Sequence, residues 1–68
     1  MKVVPIQYQI IFDDHEYFFL TLEGELWEII NDMGQRLSHE SIWEDDTLSF
    51  YKFDEAIDKL IEWRNGNE

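Results

Sequence analysis

Residues 3–12 alternate between apolar and other side chains, and this two-residue period restricts the fold more than any other feature of the sequence. One side of the segment carries Val4, Ile6, Tyr8, Ile10 and Phe12, and the other carries Pro5, Gln7 and Gln9. Successive side chains of a β-strand point to opposite faces of a sheet, so the alternation predicts a half-buried strand. Because Pro5 has no N–H to donate to a neighbouring strand, we expect this strand to start at a sheet edge.

A second alternating segment, residues 17–22, predicts a hairpin with the first. If Asp13, Asp14 and His15 form a three-residue loop, every large apolar side chain of the two strands falls on one face. The pairs are then Ile10 with Phe18, Tyr8 with Leu20, and Ile6 with Leu22. A two-residue loop would scatter these side chains over both faces, so we predict the three-residue loop, with His15 at its left-handed position.

Residues 25–31 fit two structures. As a third strand after a tight turn at Glu23 and Gly24, they place Leu20 opposite Trp27 and Phe18 opposite Ile29. Helical spacing is also present, in Leu26, Ile29, Ile30, Met33 and Leu37, and Gly34 would then be a helix C-cap. The strand is favoured because residues 31–34, Asn-Asp-Met-Gly, have the pattern of a type I turn closed by a left-handed residue. Gly24 would also weaken a helix.

The second half of the chain predicts a return strand and a helix. Residues 35–43 are interpreted as strand four, with Leu37, His39 and Trp43 facing the core, and His39 is expected opposite Trp27. Residues 48–51 are expected to form a short extended piece. The predicted fold is therefore an α+β single domain over residues 1–68, an antiparallel three- to four-stranded β-meander followed by one C-terminal α-helix packed on one sheet face.

The predicted helix, residues 53–64, is amphipathic. Its apolar side carries Phe53, Ala56, Ile57, Leu60, Ile61 and Trp63, and its acidic side carries Asp54, Glu55, Asp58 and Glu62. Acids in the first turn and Arg64 in the last suit the helix dipole, and Asn65-Gly66 can end the helix.

One helix covers only one face of a sheet, and the other face is not polar. It collects Ile11, Tyr17, Phe19, Leu26 and Ile30. Apolar patches on a monomer usually mark a contact surface, and a second copy of the chain is the simplest partner.

The charge balance separates classes of partner. Sixteen acidic residues against five basic ones give a formal net charge of −11, which repels nucleic acid and anionic membranes and attracts basic protein surfaces. The chain has no cysteine, so it has neither a disulfide framework nor a thiolate metal site. With no signal peptide and no apolar run of membrane-spanning length, we expect a cytoplasmic protein.

Candidate catalytic and metal-binding residues lack a motif. Asp13, Asp14, His15 and Glu16 are of the types that bind divalent cations, but consecutive residues in a tight turn diverge, and the spacing of a calcium loop is missing. His39 has no serine, cysteine or second histidine at motif spacing. Carboxylate pairs carry little information in so acidic a chain. We therefore predict no enzymatic activity, no cofactor and no metal.

The acids are more informative as a pattern. Asp54, Asp58 and Glu62 recur every four residues, which spaces them by about 6 Å along a helix, with Glu55 beside them. Glu44, Asp45 and Asp46 extend the row from the preceding loop, and Trp43 is an apolar anchor next to them. These eight residues are the predicted partner-binding site, able to occupy a groove that normally receives a nucleic-acid backbone. The alternative interpretation is a solvated helix face and a solvated loop.

In length, absence of cysteine, acidity and aromatic content, the chain resembles small phage or prophage-encoded inhibitors. These include the DNA-mimicking antagonists of restriction, of CRISPR nucleases and of uracil-DNA glycosylase. The resemblance implies an inhibitor that binds a basic surface of a nucleic-acid-handling protein; it includes no alignable motif and assigns no site residue. The alternative is a homodimeric structural or regulatory protein that docks through its apolar sheet face, with the acids serving solubility alone.

Overall fold

A computed structural model describes Met1 and residues 7–66, and it shows an antiparallel sheet followed by one helix. The strands are β1 (Gln7–Ile11), β2 (Tyr17–Glu23), β3 (Leu26–Ile30), β4 (Arg36–Leu37) and β5 (Trp43–Glu44), and the helix is α1 (Phe53–Gly66). The five strands lie in the sheet in chain order. The predicted α+β class, with a meander and then a C-terminal helix, is confirmed, with one strand more than the three to four expected.

The β1–β2 hairpin has the predicted register. Tyr8 pairs with Leu20 and Ile10 pairs with Phe18. His15 adopts a positive φ of 71°, so it occupies the left-handed position of the loop as expected. The expectations for Val4, Pro5 and Ile6, including the pair of Ile6 with Leu22, lie outside the described residues.

Residues 26–30 form a strand, as favoured, but the predicted β2–β3 register is wrong by two residues. Leu20 pairs with Ile29 instead of Trp27, because the two-residue loop consists of Gly24 and Glu25. Gly24 has a φ of +67°, and a type II′ hairpin turn requires a positive φ at its first central residue. A shift by two residues preserves the face of every side chain, so the predicted division between the two faces is retained.

The β3–β4 turn is held by the side chain of Asn31. Its Oδ1 accepts hydrogen bonds from the backbone N–H groups of Met33 (3.0 Å) and Gln35 (2.9 Å). Gly34 has a φ of +81°, the left-handed conformation expected for the residue that closes this turn. The turn signal was therefore a valid reason to prefer a strand over a helix for the preceding residues.

The single strand predicted for residues 35–43 is wrong, because a turn divides it into β4 and β5. Ser38 supports this turn twice: its N–H donates to the carbonyl of Ile42 (2.9 Å), and its Oγ accepts from the N–H of Ile42 (3.2 Å). Ser41 has a positive φ of 63°. Leu37 and Trp43 face the core as expected, but His39 lies exposed in the turn.

The position predicted for His39, opposite Trp27, is occupied by Tyr51. The two residues form a β-bridge in which each N–H donates to the other's carbonyl, at 2.7 and 2.9 Å. The hydroxyl of Tyr51 donates to the carbonyl of Leu37 (3.1 Å), and burial, with a smaller contribution from Glu40, raises the pKa of this hydroxyl to about 12. β4 pairs with β3 at Ile30, and the expected extended piece at 48–51 continues along the same edge of β3 by pairing Tyr51 with Trp27.

The core lies between α1 and one sheet face, called here the core face. Its buried apolar residues are Phe18, Leu20, Ile29, Leu37, Tyr51, Ala56 and Leu60. The sheet curls around these side chains: Trp43 of β5 stacks on Phe18 of β2 with ring centroids 5.6 Å apart, although β3 and β4 separate the two strands. Trp63 of α1 meets the edge of both rings, at 5.7 and 5.3 Å. Helix and curled sheet therefore share one aromatic cluster.

Candidate protein-binding surfaces

The acidic side of α1 faces away from the sheet. Ala56 and Leu60 are buried against the core face, and by helical geometry the acids lie on the opposite side of the helix. All four of them are exposed: Asp54, Glu55, Asp58 and Glu62. We call these four residues the helix patch. Three of them also line a shallow groove of about 280 Å³ with His39, Phe50, Tyr51 and Lys59.

The arginines of the chain are committed elsewhere. Arg36 forms an ion pair with Glu28 (2.5 Å), and Arg64 contacts Asp14 (2.8 Å) and Glu16 (2.6 Å). Lys59 donates its Nζ hydrogen bond to the carbonyl of His39 (2.9 Å) rather than to a carboxylate. Within residues 7–66, no ion pair reaches the helix patch. Its carboxylates therefore form no ion pair in the described part of the molecule, and Lys59 is the one cation described in the groove beside them.

The predicted anchor Trp43 lies between core and surface. Its ring is half-buried in the aromatic cluster with Phe18 and Trp63. Trp43 also lines a shallow groove of about 420 Å³ with Gln35, Glu44, Asp45, Asp46 and Thr47. This groove and the one beside the helix patch have no lining residue in common, but a third groove shares Asp46 and Thr47 with the first and Phe50 with the second. The eight predicted site residues thus lie on two acidic surfaces in different grooves, the helix patch and the loop of residues 43–46.

The sheet face opposite the core face, called here the outer face, carries the predicted apolar residues. Ile11, Tyr17 and Leu26 are exposed, while Phe19 and Ile30 are half-buried. The rings of Tyr17 and Phe19 contact each other edge to face, with centroids 5.6 Å apart. No described element packs across this row, so it is available to a partner.

Sequence reasoning missed a second part of the outer face. Leu48 and Phe50 line a groove of about 340 Å³ with Glu23, Glu28, Arg36, Asp46 and Thr47. Glu28 is buried although it is charged, and its ion pair with Arg36 accounts for that burial. The alternation of β3 and β4 places Glu28 and Arg36 on the outer face, and the pairing of Ile30 with Arg36 brings them close together.

The loop of residues 13–16 is tied to the helix by Arg64. Asp14 and Glu16 both bind the guanidinium of Arg64, which also lies 4.0 Å from the centroid of the Phe12 ring. Among residues 7–66 and Met1, no three histidine or acidic side chains are grouped to hold a metal ion.

In the part of the chain that the structure describes, no helix has both the length and the apolar character needed to cross a bilayer.

Comparison with known proteins found no match. No protein-family model matches it, and neither a curated protein nor a solved structure shows significant similarity to it.

The contact between Arg64 and Asp14 makes a prediction about pH. The hydrogen bond from Arg64 is the largest cause of a pKa for Asp14 below its ordinary value of 3.8. Since the folded pKa lies below the unfolded one, the contact stabilises the fold above the unfolded pKa and loses this effect as pH falls through the folded pKa. Asp14→Asn should therefore lower the urea midpoint slightly near neutral pH, and the difference from the wild type should vanish in strong acid.

The control for this experiment is Asp13→Asn, which changes an exposed neighbour that has no ion pair within residues 7–66. The effect of Asp14→Asn should also shrink in concentrated salt, because both partners contact solvent. A difference that persisted unchanged into strong acid would contradict an ionic origin.

Proposed function

We propose that the protein is a small acidic protein-binding module, an inhibitor that occupies the basic, nucleic-acid-binding surface of a target protein, as in phage anti-defence. It has no catalytic role, no cofactor and no metal in this proposal. One observation carries it: the helix patch is exposed and receives no ion pair within residues 7–66, whereas Arg36 and Arg64 are both engaged with other acids.

The arrangement of the helix patch supports charge mimicry. Asp54, Asp58 and Glu62 lie on successive turns of one rigid element, about 6 Å apart along its axis. A fixed row of carboxylates needs little reorganisation to meet the lysines and arginines of a nucleic-acid groove, and net charge of −11 accelerates the encounter. The acids of residues 44–46, with the exposed part of Trp43, provide a separate acidic surface for the margin of such a target.

Charge reversal on the helix tests this proposal. The variant Asp54→Lys/Asp58→Lys/Glu62→Lys should lose capture of basic nucleic-acid-handling proteins from a bacterial lysate, as read by mass spectrometry. Wild-type capture should also fall steeply from low to high salt, because screening weakens attraction between exposed charges. Each reversal adds two charge units, so the three change the formal net charge from −11 to −5.

The matched control reverses three exposed acids in the hairpin turns: Asp13→Lys, Glu25→Lys and Asp32→Lys. It gives the same net charge of −5, from −11 plus six, but leaves the helix patch intact. Capture by the control and loss by the helix variant would support a specific acidic row. Equal loss in both variants would show that overall charge alone is responsible, and salt-insensitive capture would overturn the proposal.

A further inference from the structure

The outer face continues from the sheet onto the segment that leads to the helix. After β5 the chain runs along the edge of β3, and this brings Leu48 and Phe50 beside Glu28 and Arg36. Leu48 is 82% exposed. Glu23 and Arg36 of the groove pair with Leu26 and Ile30, so the groove lies next to the apolar sheet row.

Acids border this groove, and its one described cation is already paired. Arg36 binds Glu28, which is buried in the floor, so this pair adds little net charge. Glu23 and Asp46 remain exposed in the lining, and Glu44 lies opposite Arg36 in the β4–β5 pairing. The groove thus places the apolar side chains of Leu48 and Phe50 beside exposed acids.

We propose that the outer face binds a cationic amphipathic helix of another protein. An apolar stripe on that helix would cover Leu26, Ile30 and Leu48, and its lysines and arginines would meet Glu23 and Asp46. A second copy of this chain is a poorer occupant, because it would bring another net charge of −11 and the same acidic border into contact. None of the four helix-patch acids lines this groove, although the groove shares Phe50 with the one beside the helix patch and Asp46 with the loop of residues 43–46. The outer face and the helix patch can therefore be tested separately.

A synthetic peptide provides a defined probe. The peptide has about 18 residues of leucine and lysine, with leucines at helical spacing, and its control has the same composition with the leucines dispersed. Titration into the isotopically labelled protein, followed by amide NMR shifts, should perturb β2, β3 and residues 46–48 with the striped peptide only. Any shifts at residues 54–62 should be the same for both peptides, because charge alone attracts a peptide to the helix patch. The dispersed peptide should bind at least tenfold more weakly, because it retains the charge but lacks the stripe.

Matched variants locate the site. Leu48→Ser should weaken the leucine-lysine peptide by about threefold to tenfold. Met33→Ser, which removes another apolar side chain of similar exposure (77%) from a turn outside the groove, should leave binding unchanged. Both substitutions are on the surface, and unchanged thermal melting would confirm that each variant is folded.

Several results would overturn the inference. They are shifts confined to the helix patch, equal binding of the two peptides, or equal effects of Leu48→Ser and Met33→Ser. Sedimentation that revealed a dimer broken by Leu48→Ser would assign the face to a second copy instead. Shifts confined to the helix patch would leave the proposed function intact, so the two proposals can fail separately.

Discussion

Replacing Leu60 by alanine is expected to remove a large share of the free energy of unfolding. Leu60 is 1% exposed and holds α1 on the core face together with Ala56. Truncating a buried leucine costs about 2–5 kcal/mol, through lost burial and the cavity left behind. A 68-residue domain has a total stability of only about 3–10 kcal/mol. Urea unfolding followed by far-ultraviolet circular dichroism should show a much lower midpoint.

The adjacent residue provides the control. Ile61 is 43% exposed on the same helix, so Ile61→Ala should cost about 1 kcal/mol or less. Alanine has a higher intrinsic helix propensity than leucine or isoleucine, so a change in propensity would destabilise neither variant. Similar losses for the two variants would show that α1 is not packed as described.

The second large effect is expected from Arg36→Met, which leaves Glu28 charged and without its partner. Removing one member of a fully buried ion pair costs about 3–5 kcal/mol. The Arg36 side chain is 36% exposed and that of Glu28 only 7%, so solvent screens part of the loss. We expect a decrease of about 2–3 kcal/mol in the free energy of unfolding, measured in urea.

A second substitution distinguishes an ionic cause from lost packing. Glu28→Gln in the Arg36→Met background removes the uncompensated charge while retaining the shape of the side chain, and it should restore most of the stability. Lys52→Met removes an exposed cation that has no ion pair within residues 7–66, and it should change stability by no more than about 0.5 kcal/mol. If the double variant were as unstable as Arg36→Met, the contribution of Arg36 would be packing of its aliphatic chain.

The β1–β2 hairpin was predictable in detail because only one loop length collects its large side chains on one face. Between β2 and β3, two registers differing by two residues both satisfy that criterion. The choice between them depends on whether Gly24 is the first or the second residue of the turn. Hydrophobic alternation cannot detect such a shift, whereas it would detect a shift by one.

The division of residues 35–43 into β4 and β5 depended on local polar contacts. The run Ser38-His39-Glu40-Ser41 is a turn signal, but Leu37 and Trp43 also fit one continuous alternating strand. The side chain of Ser38 binding Ile42 favours the turn. Tyr51 then occupies the edge of β3 that a longer strand would have covered.

Of the candidate site, the helix patch was predictable because helical periodicity alone determines which side chains point outward. Its separation from the acids of residues 44–46 depends on the path that the chain takes along the edge of β3 before the helix begins, and local sequence patterns do not determine that path. The partial burial of Trp43 also depends on the curl of the sheet, since its contact Phe18 lies three strands away. Neither the separation of the two acidic surfaces nor the partial burial of Trp43 can be predicted from composition.

The shared aromatic cluster has a spectroscopic consequence. Trp43 and Trp63 contact each other, and Trp27 packs on Phe53 at the first turn of α1, so all three tryptophans report on the junction of helix and sheet. Intrinsic fluorescence should therefore follow detachment of the helix closely. Ligands seated on the far side of the sheet should leave the emission almost unchanged, and a titration monitored only by that signal would miss them.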